Sequence, residues 1–272
     1  MTRPRFWLLL SIALLTAGMT PLLVVSSPGR EQLKPVVLAA DSSTPPSLYQ
    51  VPQLEPVYFT SAQLVEVDNL DPRKVYIAQA GSHVRFKRAI SDPDSTPIVR
   101  VIAQSGSKVE AIGTQVSVTA ADGSYVEVSD GVRLDATGAV VYVRGDAFVK
   151  AFAKAEVHNQ GSGETHAFEG SVIYTQGKGR TFAEKGSLVY ARSPENCDAC
   201  TQVQAAPGST VHVYKGAEVF GKGATVYAYS GGEVICSRHC TVYLYPDSER
   251  NLSPNCIVHE MPDESDAIPF KP

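Results

Sequence analysis

A β-branched residue returns at every eighth position between Val141 and Ala191, and this octad constrains the fold more than any other feature of the sequence. The seven positions are Val141, Val149, Val157, Thr165, Ile173, Thr181 and Val189. The residue two places later is small or short, with one polar exception, in the series Val143, Ala151, Asn159, Ala167, Thr175, Ala183 and Ala191. Glycine often follows in the next turn, as at Gly145 and Gly161. A period of eight drifts off a helical repeat, and each helical glycine would cost about 1 kcal/mol. The octad therefore predicts one short strand and one corner.

Side chains alternate across a strand, so the first and third octad positions face inward and the second and fourth face outward. One octad cannot bury its apolar pair alone, and stacked neighbours must cover it. The predicted fold class is therefore all-β, a narrow parallel β-solenoid built from stacked octads, and the number of octads per coil stays open. Less regular cells extend the pattern, from Val75/Ile77 and Val84/Phe86 to Val242/Leu244. An intertwined trimer that shares one prism is the rival architecture, so the oligomeric state stays open.

The sequence divides into five predicted segments. Residues 1–27 carry Arg3, Arg5 and a long apolar run, which is typical of a signal peptide or an N-terminal membrane anchor. Residues 28–56 form a Pro-rich linker, residues 57–98 a capping and transition segment with a loop at 88–97, residues 99–245 the octad solenoid, and residues 246–272 a C-terminal tail.

The charge of the chain and its lack of catalytic motifs argue against two classes of function, nucleic-acid binding and catalysis. The net charge is −4 and the isoelectric point about 5.9, which argues against a nucleic-acid partner. No phosphate-binding loop, dinucleotide fingerprint or G-x-S-x-G motif is present, and coils of two octads leave no room for a catalytic cleft. We expect a protein that is not an enzyme and holds no cofactor.

Two stretches resemble a known type of repeat. GATVYAYSGGEV (223–234) and GSTVHVYKGAEV (208–219) resemble the G-S-A-x-V-x-A-Y octads of bacterial and phage-associated surface proteins. They are more distantly similar to the tandem octads of bacterial ice-nucleation proteins. The resemblance implies a thin β-solenoid over roughly residues 99–245. Ice binding would imply long outward Thr-x-Thr arrays, whereas the outward positions here are mostly aromatic or charged.

Outward aromatic residues are the candidate binding residues. They are Tyr142, Tyr174, Phe182, Tyr190, Phe220, Tyr227 and Tyr243. Residues sixteen apart stack on one wall if a coil holds two octads, which pairs Tyr174 with Tyr190. Such rings could contact sugar rings, another subunit or another surface protein, or they could stack only to stabilise the sheet. His158 and His166 fall on opposite walls, where we expect solvated side chains that share no metal.

All five cysteines lie in the last third of the chain: Cys197, Cys200, Cys236, Cys240 and Cys256. Disulfides are favoured in an exported chain. Cys197–Cys200, Cys236–Cys240 and Cys240–Cys256 are all open as pairings, and any complete scheme leaves one cysteine over. A zinc site is the alternative, but two and a half coils separate Cys197 from Cys236, so no metal site is assigned.

These features predict an exported, non-catalytic structural or binding rod that is secreted or held at the cell surface. Its partner would be a surface glycan or another surface protein, with the membrane as a further partner if the N-terminal segment is uncleaved. One alternative is an adhesin-like or phage-derived spike that makes contact through its tip. Another is a cysteine-based metal-binding or redox protein.

Overall fold

The computed structural model describes residues 53–88, 98–194, 197, 200–263, 268 and 270. The predicted export segment, most of the linker and nearly all of the loop at 88–97 lie outside the described residues. Within the described part of the chain, no helix is long and apolar enough to cross a membrane.

Twenty-four strands follow one another along the described residues. They are β1 (Glu55–Phe59), β2 (Leu64–Val67), β3 (Lys74–Ala78), β4 (His83–Lys87), β5 (Val99–Ala103), β6 (Lys108–Ile112), β7 (Val116–Ala120), β8 (Tyr125–Ser129), β9 (Arg133–Thr137), β10 (Val140–Val143), β11 (Phe148–Phe152), β12 (Glu156–Asn159), β13 (Glu164–Ala167), β14 (Val172–Thr175), β15 (Arg180–Ala183), β16 (Leu188–Ala191), β17 (Thr201–Ala205), β18 (Thr210–Val213), β19 (Ala217–Lys222), β20 (Thr225–Ala228), β21 (Glu233–Arg238), β22 (Thr241–Leu244), β23 (Glu249–Leu252) and β24 (Ile257–Glu260). Odd-numbered strands form one 12-stranded sheet and even-numbered strands form another, which we call the odd sheet and the even sheet. Each coil contributes one strand to each.

The pairing within both sheets is parallel and joins consecutive coils of the same chain. Val141 pairs with Val157, and Val157 with Ile173, so one coil takes sixteen residues here. Twelve strands at about 4.8 Å spacing make a rod about 50 Å long. The predicted all-β parallel β-solenoid is therefore confirmed.

The core is a thin layer between the two sheets. The inward octad residues Val141, Val157, Ile173 and Val189 are all fully buried, as are the small residues that accompany them, such as Ala167. Alternating β-branched and small side chains let the two walls approach closely while each residue is covered by the coils above and below. The predicted inward face of the octad is correct.

The coils extend beyond the octad segment 99–245 at both ends, and at the N-terminal end they begin before the first expected cell, Val75/Ile77. Strands β1 to β4 pair with the following coils, so much of the segment 57–98 is itself coiled. Strands β23 and β24 add one further coil within the segment 246–272 that the sequence assigned to a tail. The octad is blurred in these regions because longer corners break its period.

One inward assignment near the N-terminal end is wrong. Val75 and Ile77 are only half-buried, whereas Tyr76 and Ala78 face the core. The Tyr76 ring lies 5.7 Å from that of Phe86 and 6.3 Å from that of Phe59, measured between centroids. Three rings bury more apolar area than two aliphatic side chains would, and the Tyr76 hydroxyl reaches the rim, where the Asp71 N–H donates to it.

A recurring turn of four residues forms many of the corners. In its first occurrence the Ser82 N–H and hydroxyl both donate to the Gln79 carbonyl, at 3.0 and 2.7 Å. Gly81 precedes the serine with φ +78°, the conformation that a type II turn requires at its third position. The same glycine–serine arrangement recurs at Ser107, Ser124, Ser171, Ser187 and Ser209.

A polar group of side chains interrupts the apolar core. The buried Asn159 amide donates to Thr165 Oγ1 at 3.1 Å, and its oxygen accepts from the Gly161 N–H at 3.1 Å. In the next coil the register partners of Asn159 and Thr165 are Thr175 and Thr181. Both hydroxyls there are buried and have no hydrogen-bond partner among the described residues.

We expect the Thr181→Val substitution to raise the free energy of unfolding by about 1 kcal/mol, because it removes a buried hydroxyl that has no bond to lose. Urea unfolding followed by circular dichroism measures the change. Thr201→Val is the matched control, since the Thr201 hydroxyl donates to the Gly177 carbonyl at 2.6 Å and its loss should destabilise. Equal effects of the two substitutions would contradict this account.

Candidate functional site

An unbroken column of aromatic rings occupies the central outward position of the even sheet. Centroids of successive rings lie 4.6 to 5.0 Å apart, and their planes differ by 6° to 19°. We call these eight residues the aromatic column: Tyr142, His158, Tyr174, Tyr190, His212, Tyr227, Tyr243 and His259. Five of the seven candidate binding residues belong to it. The pair predicted at sixteen-residue spacing, Tyr174 with Tyr190, is stacked, and Tyr227 stacks on Tyr243 in the same way.

Stacking decides what the aromatic column can do. Ring spacing matches the strand spacing, so each ring covers the faces of its neighbours and turns only its edge outward. A sugar ring packs on the flat face of an aromatic side chain, and within the column those faces are already occupied. The column therefore stabilises the even sheet through cross-strand pairs, each worth about 0.2–1 kcal/mol.

The two histidines that the sequence analysis expected to be solvated are stacked instead. His158 is 7% exposed because it lies between the rings of Tyr142 and Tyr174. In the odd sheet, His166 lies between Phe148 and Phe182. The expectation of a solvated side chain is therefore wrong for His158, whose ring is covered on both faces by neighbouring rings. His166 stays partly exposed, with 24% of its side chain accessible. The two histidines do lie on different sheets, as expected.

A second, shorter ladder runs beside the aromatic column. Tyr214, Tyr229 and Tyr245 stack at 4.6 Å between successive centroids. Phe270, from the end of the chain, meets Tyr174 and Tyr214 edge to face, with interplanar angles of 88° and 77°. The Tyr214 hydroxyl donates to the Ile268 carbonyl. The even sheet thus accepts an apolar side chain laid across the ring edges.

Burial perturbs the ionisable groups where the two ladders meet. His212 is 4% exposed, and burial lowers its pKa from 6.5 to about 4. Burial likewise raises the pKa of Tyr229 to about 12 and that of Tyr214 still further. His212 Nδ1 lies 3.0 Å from the Tyr229 hydroxyl. At neutral pH this cluster is uncharged and held by a hydrogen bond.

We expect the rod to lose stability as the pH falls from about 6.5 to about 4. The unfolded chain takes up a proton at His212 near pH 6.5, whereas the folded chain resists protonation until about pH 4. The stabilisation lost over this window is at most about 3 kcal/mol. Urea unfolding at several pH values measures it, and His212→Phe, which keeps the ring stack, should flatten the profile. His239→Asn is the control at an exposed histidine, and the same flattening there would contradict the assignment.

The remaining two candidates, Phe182 and Phe220, lie in the odd sheet on the wall of an open groove. Gln204 lies between them in the register, so the two phenyl groups flank an amide two strand spacings apart. Phe220 is 38% exposed. Arg180, Glu184, Gln202 and Lys222 complete the polar lining. We call this the odd-sheet groove.

Over the first coils the even sheet carries charged side chains where the aromatic column stands later. Arg85 Nη1 lies 2.7 Å from Glu66 and its Nε lies 2.6 Å from Glu110. Hydrogen bonds from Arg85 hold the pKa of Glu66 below its usual range. These are exposed or partly exposed pairs on a solvated surface, and each contributes little to stability.

The cysteines form two separate groups. The sulfurs of Cys197 and Cys200 lie within bonding distance, with Cα atoms 5.7 Å apart. Cys236 and Cys240 have sulfurs 2.01 Å apart, and the free Cys256 places its sulfur 2.8 Å from that of Cys236. Cys197 and Cys200 stay apart from this triad, so among the described residues no four cysteines come together.

Sequence reasoning missed the histidines of the aromatic column, the second ladder and Phe270. A spacing of sixteen from Tyr142 leads to His158, Tyr174 and Tyr190, so the period contained a signal for the first of these. It fails at His212 because the loop that carries Cys197 and Cys200 lengthens that coil to twenty-two residues, from Tyr190 to His212. The odd-sheet groove depends on the same insertion.

No protein-family model matches the chain, and no curated protein matches its sequence. Among solved structures, a TibC-catalysed hyper-glycosylated TibA fragment (its residues 55–350) is similar at 13% identity and a TM-score of 0.41, over 76% of this chain and 85% of that one. The described residues of this chain form a parallel β-solenoid of twelve coils.

Proposed function

We propose that this chain is an exported, non-catalytic rod that binds a surface oligosaccharide through the odd-sheet groove. One observation carries the proposal: an exposed phenyl ring at Phe220 stands beside amide and charged side chains in an open groove. A ring face packs on the C–H surface of a sugar, while amides and ions bond its hydroxyl groups.

The lining of the odd-sheet groove fits a hydroxyl-rich ligand. Gln202 Nε2 donates to Glu218 at 3.2 Å, which fixes one amide, whereas Gln204 is exposed between the two phenyl groups. Arg180 and Lys222 outnumber Glu184 within the lining. The ligand class is therefore a neutral or weakly acidic oligosaccharide that extends along the rod.

The aromatic column supports the same role from the opposite wall. A binding surface is more effective when it is held rigid, because little conformational freedom is then lost on binding. Stacked rings and twelve coils of parallel pairing supply that rigidity. Neither sheet provides a deep cleft in the described part of the chain, which is the reason to favour binding over catalysis.

A glycan-binding assay tests this function. Purified protein is applied to a panel of immobilised neutral and acidic surface oligosaccharides, and retention is compared with that of the Phe220→Ala variant. We expect binding to weaken about thirtyfold, since truncation of an aromatic anchor costs about 2 kcal/mol. Tyr58→Ala is the matched control, because Tyr58 is an exposed aromatic residue of the same sheet at the far end.

The odd-sheet groove is supported as the binding site if the wild type and the Tyr58→Ala variant are retained and the Phe220→Ala variant is not. No retention of the wild type on any oligosaccharide would overturn the glycan assignment. Equal loss of retention in the Phe220→Ala and Tyr58→Ala variants would show that the glycan does not bind in the odd-sheet groove.

A surface protein is the second candidate partner. The edge-to-face packing of Phe270 on Tyr174 and Tyr214 favours it. An aromatic side chain of another protein could lie across the ring edges of the aromatic column as Phe270 does. A synthetic peptide that carries the sequence AIPFKP of residues 267–272 is the probe. Saturable binding to a chain shortened after Asp263, and none to the full chain, supports this mode; absence of binding to both refutes it.

A further inference from the structure

We propose that Cys236, Cys240 and Cys256 form a thiol–disulfide exchange site that moves a bridge from one corner of the rod to its last coil. This proposal is independent of the binding function. It begins with the position of the free cysteine, whose sulfur lies 2.8 Å from one sulfur of a disulfide. All three sulfurs lie within 4.8 Å of one another.

The fold holds the three residues in place. Cys240 precedes β22 and Cys256 precedes β24, and the Ile257 N–H donates to the Cys240 carbonyl at 2.8 Å. Cys256 therefore stacks on Cys240 in the next coil. Gly221 leaves room for the disulfide, since a Cβ there would lie 2.9 Å from Cys240 Sγ.

Accessibility gives the three sulfurs different roles. Cys236 is 3% exposed and Cys240 fully buried, so thiols in solution reach this disulfide poorly. Cys256 is half-buried and therefore open to solvent on one side. An internal thiol that already touches the disulfide reacts ahead of an external one, because its effective concentration is far higher.

The exchange is balanced without an added oxidant. The Cys256 thiolate attacks Sγ of Cys236, and the Cys236–Cys240 bond breaks. Its electron pair leaves on Sγ of Cys240, which takes up a proton in place of the one that Cys256 released. One disulfide is formed for each one broken, and Cys240 becomes the free thiol.

The product has a mechanical consequence. Cys236–Cys240 closes a corner within one coil, whereas Cys236–Cys256 ties that coil to the next. Strand β24 is exposed along its whole length, with Ile257 at 60%. A bridge between coils constrains this last, weakly covered part of the rod.

Disulfide mapping of the full chain tests the proposal. The protein is held at alkaline pH, quenched in acid, alkylated at its free thiols and digested for mass spectrometry. We expect Cys236–Cys256 peptides to appear while alkylation of Cys256 falls and that of Cys240 rises, mole for mole. The rate should be independent of protein concentration. The Cys197–Cys200 pair, which no third cysteine approaches, is the internal control and should stay unchanged.

Two variants complete the test. Cys256→Ser should abolish the redistribution and keep Cys236–Cys240 as the sole bridge at that corner. Cys240→Ser should form Cys236–Cys256 on exposure to glutathione disulfide, with an unchanged circular dichroism spectrum. Full alkylation of Cys256 in the wild type at every time point would overturn the proposal. A rate that rises with protein concentration, or free Cys236 and Cys256 in a folded Cys240→Ser variant, would overturn it equally.

Discussion

The Val189→Asp variant is expected to lose the cooperative unfolding transition of the central coils. Val189 is fully buried between Ile173 and Val211, its register partners in the neighbouring coils. A carboxylate there has no cation to pair with, and burying it costs several kcal/mol, comparable to the whole stability of a domain. Urea unfolding followed by circular dichroism measures the loss.

Leu188→Asp is the matched control, because Leu188 is the adjacent residue on the outward side of the same strand. Its register partners are Val172 and Thr210, and neither carries a charge. We expect its free energy of unfolding to change by less than about 1 kcal/mol. Equal destabilisation by both substitutions would refute the inward assignment of the octad. Val189→Thr offers a milder test if the aspartate variant does not fold.

Gly161→Ala is expected to destabilise the rod by about 3 kcal/mol or more. A Cβ at this position would overlap the carbonyl oxygen of Gly145 in the preceding coil, and one at Gly177 would overlap that of Gly161. Relief requires the coils to separate at that corner, which costs backbone hydrogen bonds as well as packing. The midpoint of thermal unfolding measures the effect.

The Gly81→Ala variant distinguishes the steric cost of a close approach between coils from the cost of a left-handed backbone. Gly81 has φ +78°, and a Cβ there would meet nothing within 4 Å. Only the left-handed backbone is then penalised, at about 1–2 kcal/mol. Gly161→Ala should therefore lower the midpoint more than Gly81→Ala does. The reverse order would show that turn conformation, and not the contact between coils, sets the requirement for glycine.

The sequence predicted the fold well wherever one octad followed another without insertion. For Val157 and Ile173, the octad period and the β-branched side chain are enough to predict burial. Tyr76 does not, because two apolar sets alternate in its strand and only the neighbouring rings of Phe59 and Phe86 decide between them. Periodicity predicts which face of a strand a residue lies on. It does not predict the residue's partner in the adjacent coil where a long corner changes the spacing between coils.

The sequence predicted outward aromatic side chains but not their division between two surfaces, and their role in binding stays a prediction. Tyr174 and Phe182 are both outward aromatic residues eight positions apart, so they looked alike. Stacking covers the faces of Tyr174, while Phe182 has His166 on one side and Gln204 on the other. That difference arises from the neighbours in adjacent coils. For the cysteines, the spacing left three pairings open, and only the contact between β22 and β24 places Cys256 beside the others.

Between Val140 and Ala191 every strand pairs with residues sixteen positions away, as Val140 does with Glu156 and Val172 with Leu188. A deletion or duplication of sixteen codons in this region therefore leaves every other residue on its own sheet, facing the same way and at the same corner. Only the number of coils changes, by one, and the rod shortens or grows by about 4.8 Å. The length of the rod can therefore change by whole coils during evolution, and the remaining coils need no compensating substitutions.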